Sequence, residues 1–95
     1  MNELGMREYV CHKRVKAAKI LNVVACPNGI AMLEFDPPKE GNHRDVSQRV
    51  LQARTGCDNM RTASAKAKTG YWVIYDDGYE SWSPAAAFEA GYTPT

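Results

Sequence analysis

The apolar positions fall into blocks separated by turn-forming residues, and each block predicts an element. Val15-Lys16-Ala17-Ala18-Lys19-Ile20-Leu21-Asn22-Val23-Val24 grows apolar and β-branched toward its end, and Cys26-Pro27-Asn28-Gly29 interrupts it. Proline pre-sets φ at the first central turn position, and Asn and Gly tolerate the turn conformations after it. Ile30-Ala31-Met32-Leu33-Glu34-Phe35 then returns, so the pattern predicts a hairpin from about Lys16 to Phe35. A helix over Val15–Val24 is the rival, because VKAAKIL contains good helix formers. The Val23-Val24 end and the turn directly after it favour the strand.

Asp36-Pro37-Pro38-Lys39-Glu40-Gly41 reads as a loop. Beyond it, Asn42 can cap a helix with Asp45 as a short capping-box partner, and Val46, Val50 and Ala53 make a narrow apolar stripe. With Arg54 in the last turn and Gly56 just past it, the pattern predicts a helix over Arg44–Thr55. Residues 57–69 show little periodicity and read as a loop, with a second short helix around Thr62–Lys68 as the alternative. Residues 1–8 have no useful pattern and are expected to fray.

Gly70 to Thr93 holds most of the aromatic rings and the strongest local signals. Two apolar runs flank Asp76-Asp77-Gly78. A two-residue turn at Asp77-Gly78 would set Val73 opposite Trp82, with Tyr71 and Tyr75 on the same face. A three-residue turn with a Gly bulge would instead set Trp72 opposite Trp82 and join it to Ile74. The sequence leaves both registers open. Ser83 suits an N-cap, Pro84 the first helical position and Gly91 the end, which predicts a short helix over Pro84–Ala90 presenting Phe88 to the sheet, with Tyr92 following as an anchor. The whole is an α+β domain covering residues 1–95. Its small antiparallel sheet of two hairpins, curled in the manner of an SH3-like barrel, carries one central helix and a short C-terminal helix.

Composition narrows the classes. Hydrophobic content of 44% and charged content of 24% are those of a globular chain, and no apolar run approaches the roughly 20 residues that span a bilayer. The start of the chain lacks the apolar core of a signal peptide, so a cytoplasmic address and no membrane partner are expected. At this length about two-thirds of the unfolded chain's surface is buried on folding, a thin core that leaves room for a homo-oligomer. Net charge is +1, yet residues 39–69 carry seven Lys or Arg against three acids, while 70–95 carry Asp76, Asp77, Glu80 and Glu89 and no cation. Pairing of these two regions within the fold is the plain expectation.

Candidate chemistry is sparse. Cys11, Cys26 and Cys57 are an odd count without CxxC spacing, which reads as free thiols in a reducing compartment. Adjacent Cys11 and His12 would point to opposite faces of a strand, so with Cys26, His43 and Cys57 they make a poor zinc set. No nucleophile elbow or phosphate loop is present, and acids at a hairpin tip are usually turn chemistry. No enzyme and no cofactor are expected.

Two stretches resemble a known group. Tyr9-Val10-Cys11-His12-Lys13 with Val15-Lys16-Ala17-Ala18-Lys19-Ile20 resembles the start of short, largely uncharacterised accessory proteins of tailed bacteriophages and prophages. The ending is similar to theirs too, in Gly70-Tyr71-Trp72-Val73, in Tyr75, Asp77, Gly78 and Tyr79, in Ser81-Trp82-Ser83-Pro84, and in Phe88-Glu89, Gly91, Tyr92 and Thr93. The middle of the chain, about Cys26 to Thr69, has no such counterpart. The resemblance implies a small protein acting in the cytoplasm of an infected bacterium. It implies no activity and transfers no catalytic residue.

Three binding classes remain. The favoured reading is a non-enzymatic module that modulates or inhibits a host bacterial protein, such as a CRISPR defence component, through a protein–protein interface. Tyr, Trp and Arg dominate interface hot spots, which singles out Tyr75 and Tyr79, with Trp72 or Trp82 according to register. His12, Lys13 and Arg14 form the most compact basic cluster. The alternatives are a nucleic-acid-binding accessory protein, using these cations beside the aromatics, and an oligomeric sponge for a nucleotide immune signal. For any single aromatic, a core role competes with these.

Overall fold

A computed structural model describes residues 15–91. The elements are β1 (Val15–Ala25), β2 (Ile30–Phe35), β3 (His43–Ser47), α1 (Gln48–Thr55), α2 (Met60–Ala67), β4 (Gly70–Tyr75), β5 (Glu80–Pro84) and α3 (Ala85–Gly91). The domain is α+β, as expected, with both hairpins present. Two elements differ from the sequence reading. His43–Ser47 is a strand and not the start of a helix, and Met60–Ala67 is a helix where a loop was the first expectation.

The five strands form one antiparallel sheet in the order β3-β2-β1-β4-β5. The long β1 serves two ladders. Val15 to Lys19 pair with β4, Ile20 to Ala25 pair with β2, and an irregularity between Ile20 and Asn22 marks the handover. A bulge adds local twist and bends its strand, so the sheet curls there and brings its outer strands, β3 and β5, toward each other. Among the described residues no backbone ladder joins those two strands. Side chains and α1, which packs on β2, β3 and β5, bridge them instead. The result is a five-stranded, partly open barrel of the OB type.

The core lies inside the curl. Ile20 from β1, Ala31, Leu33 and Phe35 from β2, Leu51 from α1, Ala63 and Ala67 from α2, and Trp72 from β4 make one buried cluster. Strand β2 alternates buried and half-buried residues, as period-2 geometry requires of a strand with one face inward. The small Ala63 and Ala67 are fully buried, which lets α2 pack on β1 and β4. Thr55, the buried polar residue of α1, donates its hydroxyl to the Leu51 carbonyl at 2.8 Å.

The helix boundaries have local causes. Ser47, not Asn42, caps α1, with its hydroxyl accepting from the Arg49 and Val50 N–H groups. Asn42 staples the preceding loop, donating its side-chain amide to the Pro37 carbonyl at 2.7 Å. Gln48 then ties the start of α1 to the β1–β2 turn through the Cys26 and Ile30 carbonyls, at 2.9 and 3.0 Å. Asn59 caps α2 by accepting from Thr62 N–H at 3.0 Å.

The second hairpin takes the three-residue turn. Tyr75 N–H donates to the Tyr79 carbonyl at 2.8 Å, and Gly78 sits at φ 89°, a left-handed conformation that glycine adopts without a Cβ penalty. Trp72 therefore pairs with Trp82, and Ile74 with Glu80. Pro84 ends β5 and α3 begins at Ala85, one residue later than the sequence implied. The helix packs on the other face of the hairpin, where Phe88 stacks on Tyr71 with ring centroids 4.4 Å apart.

Candidate functional site

The four aromatic candidates divide sharply by burial. Trp72 is 1% exposed and belongs to the core, so the expectation that register would turn it or Trp82 outward is corrected for Trp72. Its indole N–H is satisfied by a Glu80 carboxylate oxygen at 2.7 Å. Trp82 packs half-buried against the same core, donates its N–H to the Ala67 carbonyl at 3.1 Å and lies 5.5 Å beneath the Lys66 ammonium. Both tryptophans face inward because the pleat places a cross-strand pair on one side of the sheet. Tyr75 and Tyr79 are at the hairpin tip, with rings 5.9 Å apart, and Tyr79 is exposed. His12, Lys13 and Arg14 lie outside the described residues, as does Tyr92.

A polar seam occupies the gap between β3 and β5. The Arg44 guanidinium makes a two-pronged contact with the Glu80 carboxylate, its Nε donating at 2.7 Å to the oxygen that also takes the Trp72 indole. Arg54 donates Nε to the Glu80 backbone carbonyl at 2.8 Å, and its guanidinium carbon lies 4.8 Å over the Tyr79 ring. The hydrogen bond from Arg44 holds the Glu80 carboxyl below the usual glutamate range and the bond from Trp72 adds to this, while partial burial opposes both. Basic residues of the middle of the chain thus meet an acid of its end, the pairing expected from the charge asymmetry. A cleft of about 350 Å³ opens beside this seam, with Val46, Arg54 and Tyr79 among its walls. On the far side of the hairpin, the Tyr71 hydroxyl donates to Glu89 at 2.8 Å, which pushes the phenol pKa up.

The outer face of the β1–β2–β3 half is different in character. Register places Val24 beside Met32 and Met32 beside Asp45, then Asn22 beside Glu34 and Glu34 beside His43. Leu21, the residue at the β1 irregularity, is 41% exposed and Val24 is 38% exposed. The loop stapled by Asn42 rises next to them and walls a groove of about 410 Å³, floored by Leu21, Met32 and Phe35, with Glu34 and Glu40 at its lining. Sequence reasoning overlooked this face, although a signal was present. ILNVV is apolar in both strand phases, and a strand with only one buried face needs one phase alone.

Among the described residues no three His, Cys, Asp or Glu side chains come together in a way that could hold a metal ion. No helix of the described residues is long and apolar enough to cross a membrane. Cys26 and Cys57 are free and half-buried.

No protein-family model and no curated protein matches the chain. Among solved structures, the NMR solution structure of the monomeric form of the phage L decoration protein is similar, with a TM-score of 0.53 and 25% sequence identity. The match covers 85% of this chain and 52% of that one, so this chain spans about half the length of its structural neighbour. The phage resemblance read from the two ends of the sequence therefore has a counterpart in the fold of a phage protein.

Proposed function

We propose that the chain is a phage accessory structural protein that attaches to the surface of a capsid through a protein–protein contact. The supporting observation is the likeness of its fold to a phage decoration protein over 85% of the chain. The reading keeps the binding-module class and asks no covalent chemistry of the protein, which would meet its capsid in the cytoplasm of the infected bacterium. A host defence protein as target, CRISPR components included, draws no support from the fold or from the neighbour.

The other two classes find less favourable settings. OB-type barrels that bind oligonucleotides use the face of strands 2 and 3. Here that face carries Glu34 and Asp45 and no exposed aromatic ring among the described residues, whereas single-stranded nucleic acid requires cations and stacking platforms together. The cleft beside the seam has arginine and tyrosine, as a nucleotide clamp would, but Arg44 and Arg54 are already engaged by Glu80.

Co-sedimentation of the purified chain with DNA-filled heads of the phage that encodes it tests the proposal, with phage L heads as a second probe. Saturable binding at a fixed ratio to coat subunits is the expected result. A chain that stays in the supernatant at tens of micromolar overturns it.

A further inference from the structure

We propose that the outer face of β1–β2–β3 is the docking surface of this chain, and that its occupant is an apolar patch with a basic rim on a capsid protein. This inference rests on the capsid-binding reading above and names the surface that would perform it.

The large apolar side chains most exposed among the described residues are Leu21, Val24 and Tyr79. Tyr79 has a use inside the molecule, beneath Arg54 and beside Tyr75. Leu21 and Val24 lie together on the outer face, and Met32 continues the patch across the ladder from Val24. The placement of Leu21 follows from the β1 irregularity, which interrupts the alternation between Ile20, in the core, and Asn22. The bend that curls the barrel therefore also presents an aliphatic side chain to solvent.

The rim identifies the partner. Glu34 and Glu40 line the groove with Lys39 and a histidine, His43, and Asp45 stands across the ladder from Met32, so acids outnumber lysines at its border. Glu34 is oriented by the Asn22 amide at 3.1 Å. Buried apolar area supplies most of the affinity of a contact, and rim charge sets partner and orientation. Acids at this rim repel nucleic acid and anionic lipid. A two-fold contact between copies would bring the same acids against one another, because an isologous interface pairs one patch with itself. A partner with lysines or arginines around an apolar patch has neither difficulty. The groove beside the Asn42-stapled loop fits the same partner. An incoming Lys or Arg would lay its stem on Leu21 and Met32 and bring its charge to Glu34 or Glu40.

The test compares Leu21→Asp, Val24→Asp and Glu34→Lys with the unmodified chain, by co-sedimentation with the encoding phage's heads. Asp58→Lys, an exposed position on the α1–α2 connection, is the charge-matched control. Both aspartate variants are expected to lose at least about tenfold in affinity with an unchanged thermal midpoint. Glu34→Lys is expected to weaken binding and reduce its salt dependence, and Asp58→Lys to do neither. If an aspartate variant unfolds, Leu21→Ser and Glu34→Lys decide the outcome in its place. Variants that bind heads like the unmodified chain overturn this surface and leave capsid binding standing. An unmodified chain that does not bind overturns both. A concentration-dependent dimer that Leu21→Asp abolishes assigns the face to a second copy, and a fall in thermal midpoint with every outer-face variant assigns it to the chain's own remaining residues. Either result overturns the proposal.

Discussion

In the β4–β5 hairpin the rings are plentiful and engaged: Trp72 in the core, Trp82 against it, Tyr71 on Phe88 and Tyr79 under Arg54. In the β1–β2–β3 half the apolar side chains are mostly aliphatic, with Phe35 the one ring, and Leu21 and Val24 are left facing solvent. Judged by residue type, the hairpin is the more tempting interface. Judged by what each side chain already touches, the most exposed ring, Tyr79, is held beneath Arg54, whereas the aliphatic face presents Leu21 and Val24 to solvent. Aromatic residues carry large burial energies wherever they are placed. In a small domain with a thin core, the fold has the first use for them.

This contrast can be broken by mutations whose effects should differ between the halves. The largest loss is expected from Trp72→Ala, which empties the core and leaves Glu80 without its indole donor. It should cost about 4 kcal/mol in chemical denaturation, enough to leave the domain largely unfolded. Gly70→Ala comes next. A Cβ there would stand 2.7 Å from two carbons of the Trp82 ring and would also run into the Ser83 backbone, so the hairpin must shift. A loss of about 2–3 kcal/mol is expected by urea unfolding, and a loss below about 0.5 kcal/mol would show that the two strands separate easily there.

Smaller is the effect of Glu80→Gln, which weakens the seam without emptying it. Arg44 is 44% exposed, so solvent screens the pair and the loss should be about 1 kcal/mol at neutral pH. Its pH dependence has a definite sign. The folded state holds the Glu80 carboxyl below its ordinary value of 4.5, so the unfolded chain takes up the proton more readily. The stabilisation is fully present above that value and is lost as pH falls below it, through the folded pKa. Unfolding midpoints of the unmodified and Glu80→Gln proteins should therefore converge on acidification. The smallest change is expected from Leu21→Ser, within about 0.5 kcal/mol in either direction. A large loss there would mean that the outer face supports the fold, and the contrast between the halves would fail.

How much of this was legible depended on how local the determining interaction is. The β1–β2 hairpin was readable because its turn is made by its own residues, with Asn28 accepting the Ile30 N–H at 3.2 Å. The end of α1 at Gly56 was readable for the same reason. Strand β3 was not. His43-Arg44-Asp45-Val46-Ser47 has no clean alternation, and only pairing with the distant β2 makes it extended. The helix expected over Arg44–Thr55 was genuine from Gln48 onward, but the stripe through Val46, Val50 and Ala53 was not its buried face, since α1 buries Leu51 and Thr55 and leaves Ala53 exposed. The hairpin register needed the Gly78 backbone conformation, which the DDG sequence permits but does not dictate. As for the candidate site, exposure is set by which sheet face the helices cover. Leu21-Asn22-Val23-Val24 shows that both strand faces carry apolar residues, but not which of the two α1 and α2 cover.

The division of β1 between two partners has a consequence for the order of assembly. Its second half pairs with β2 across a short turn, whereas its first half must wait for β4, almost the whole domain later in the chain. Contacts between near neighbours in sequence close sooner than distant ones. Folding should then begin at the β1–β2 hairpin and finish when Val15 to Lys19 receive β4. In native-state hydrogen exchange, one continuous strand should split into two groups of amides near Leu21, with Val23 to Ala25 opening together with β2 and Val15 to Lys19 opening together with the last hairpin.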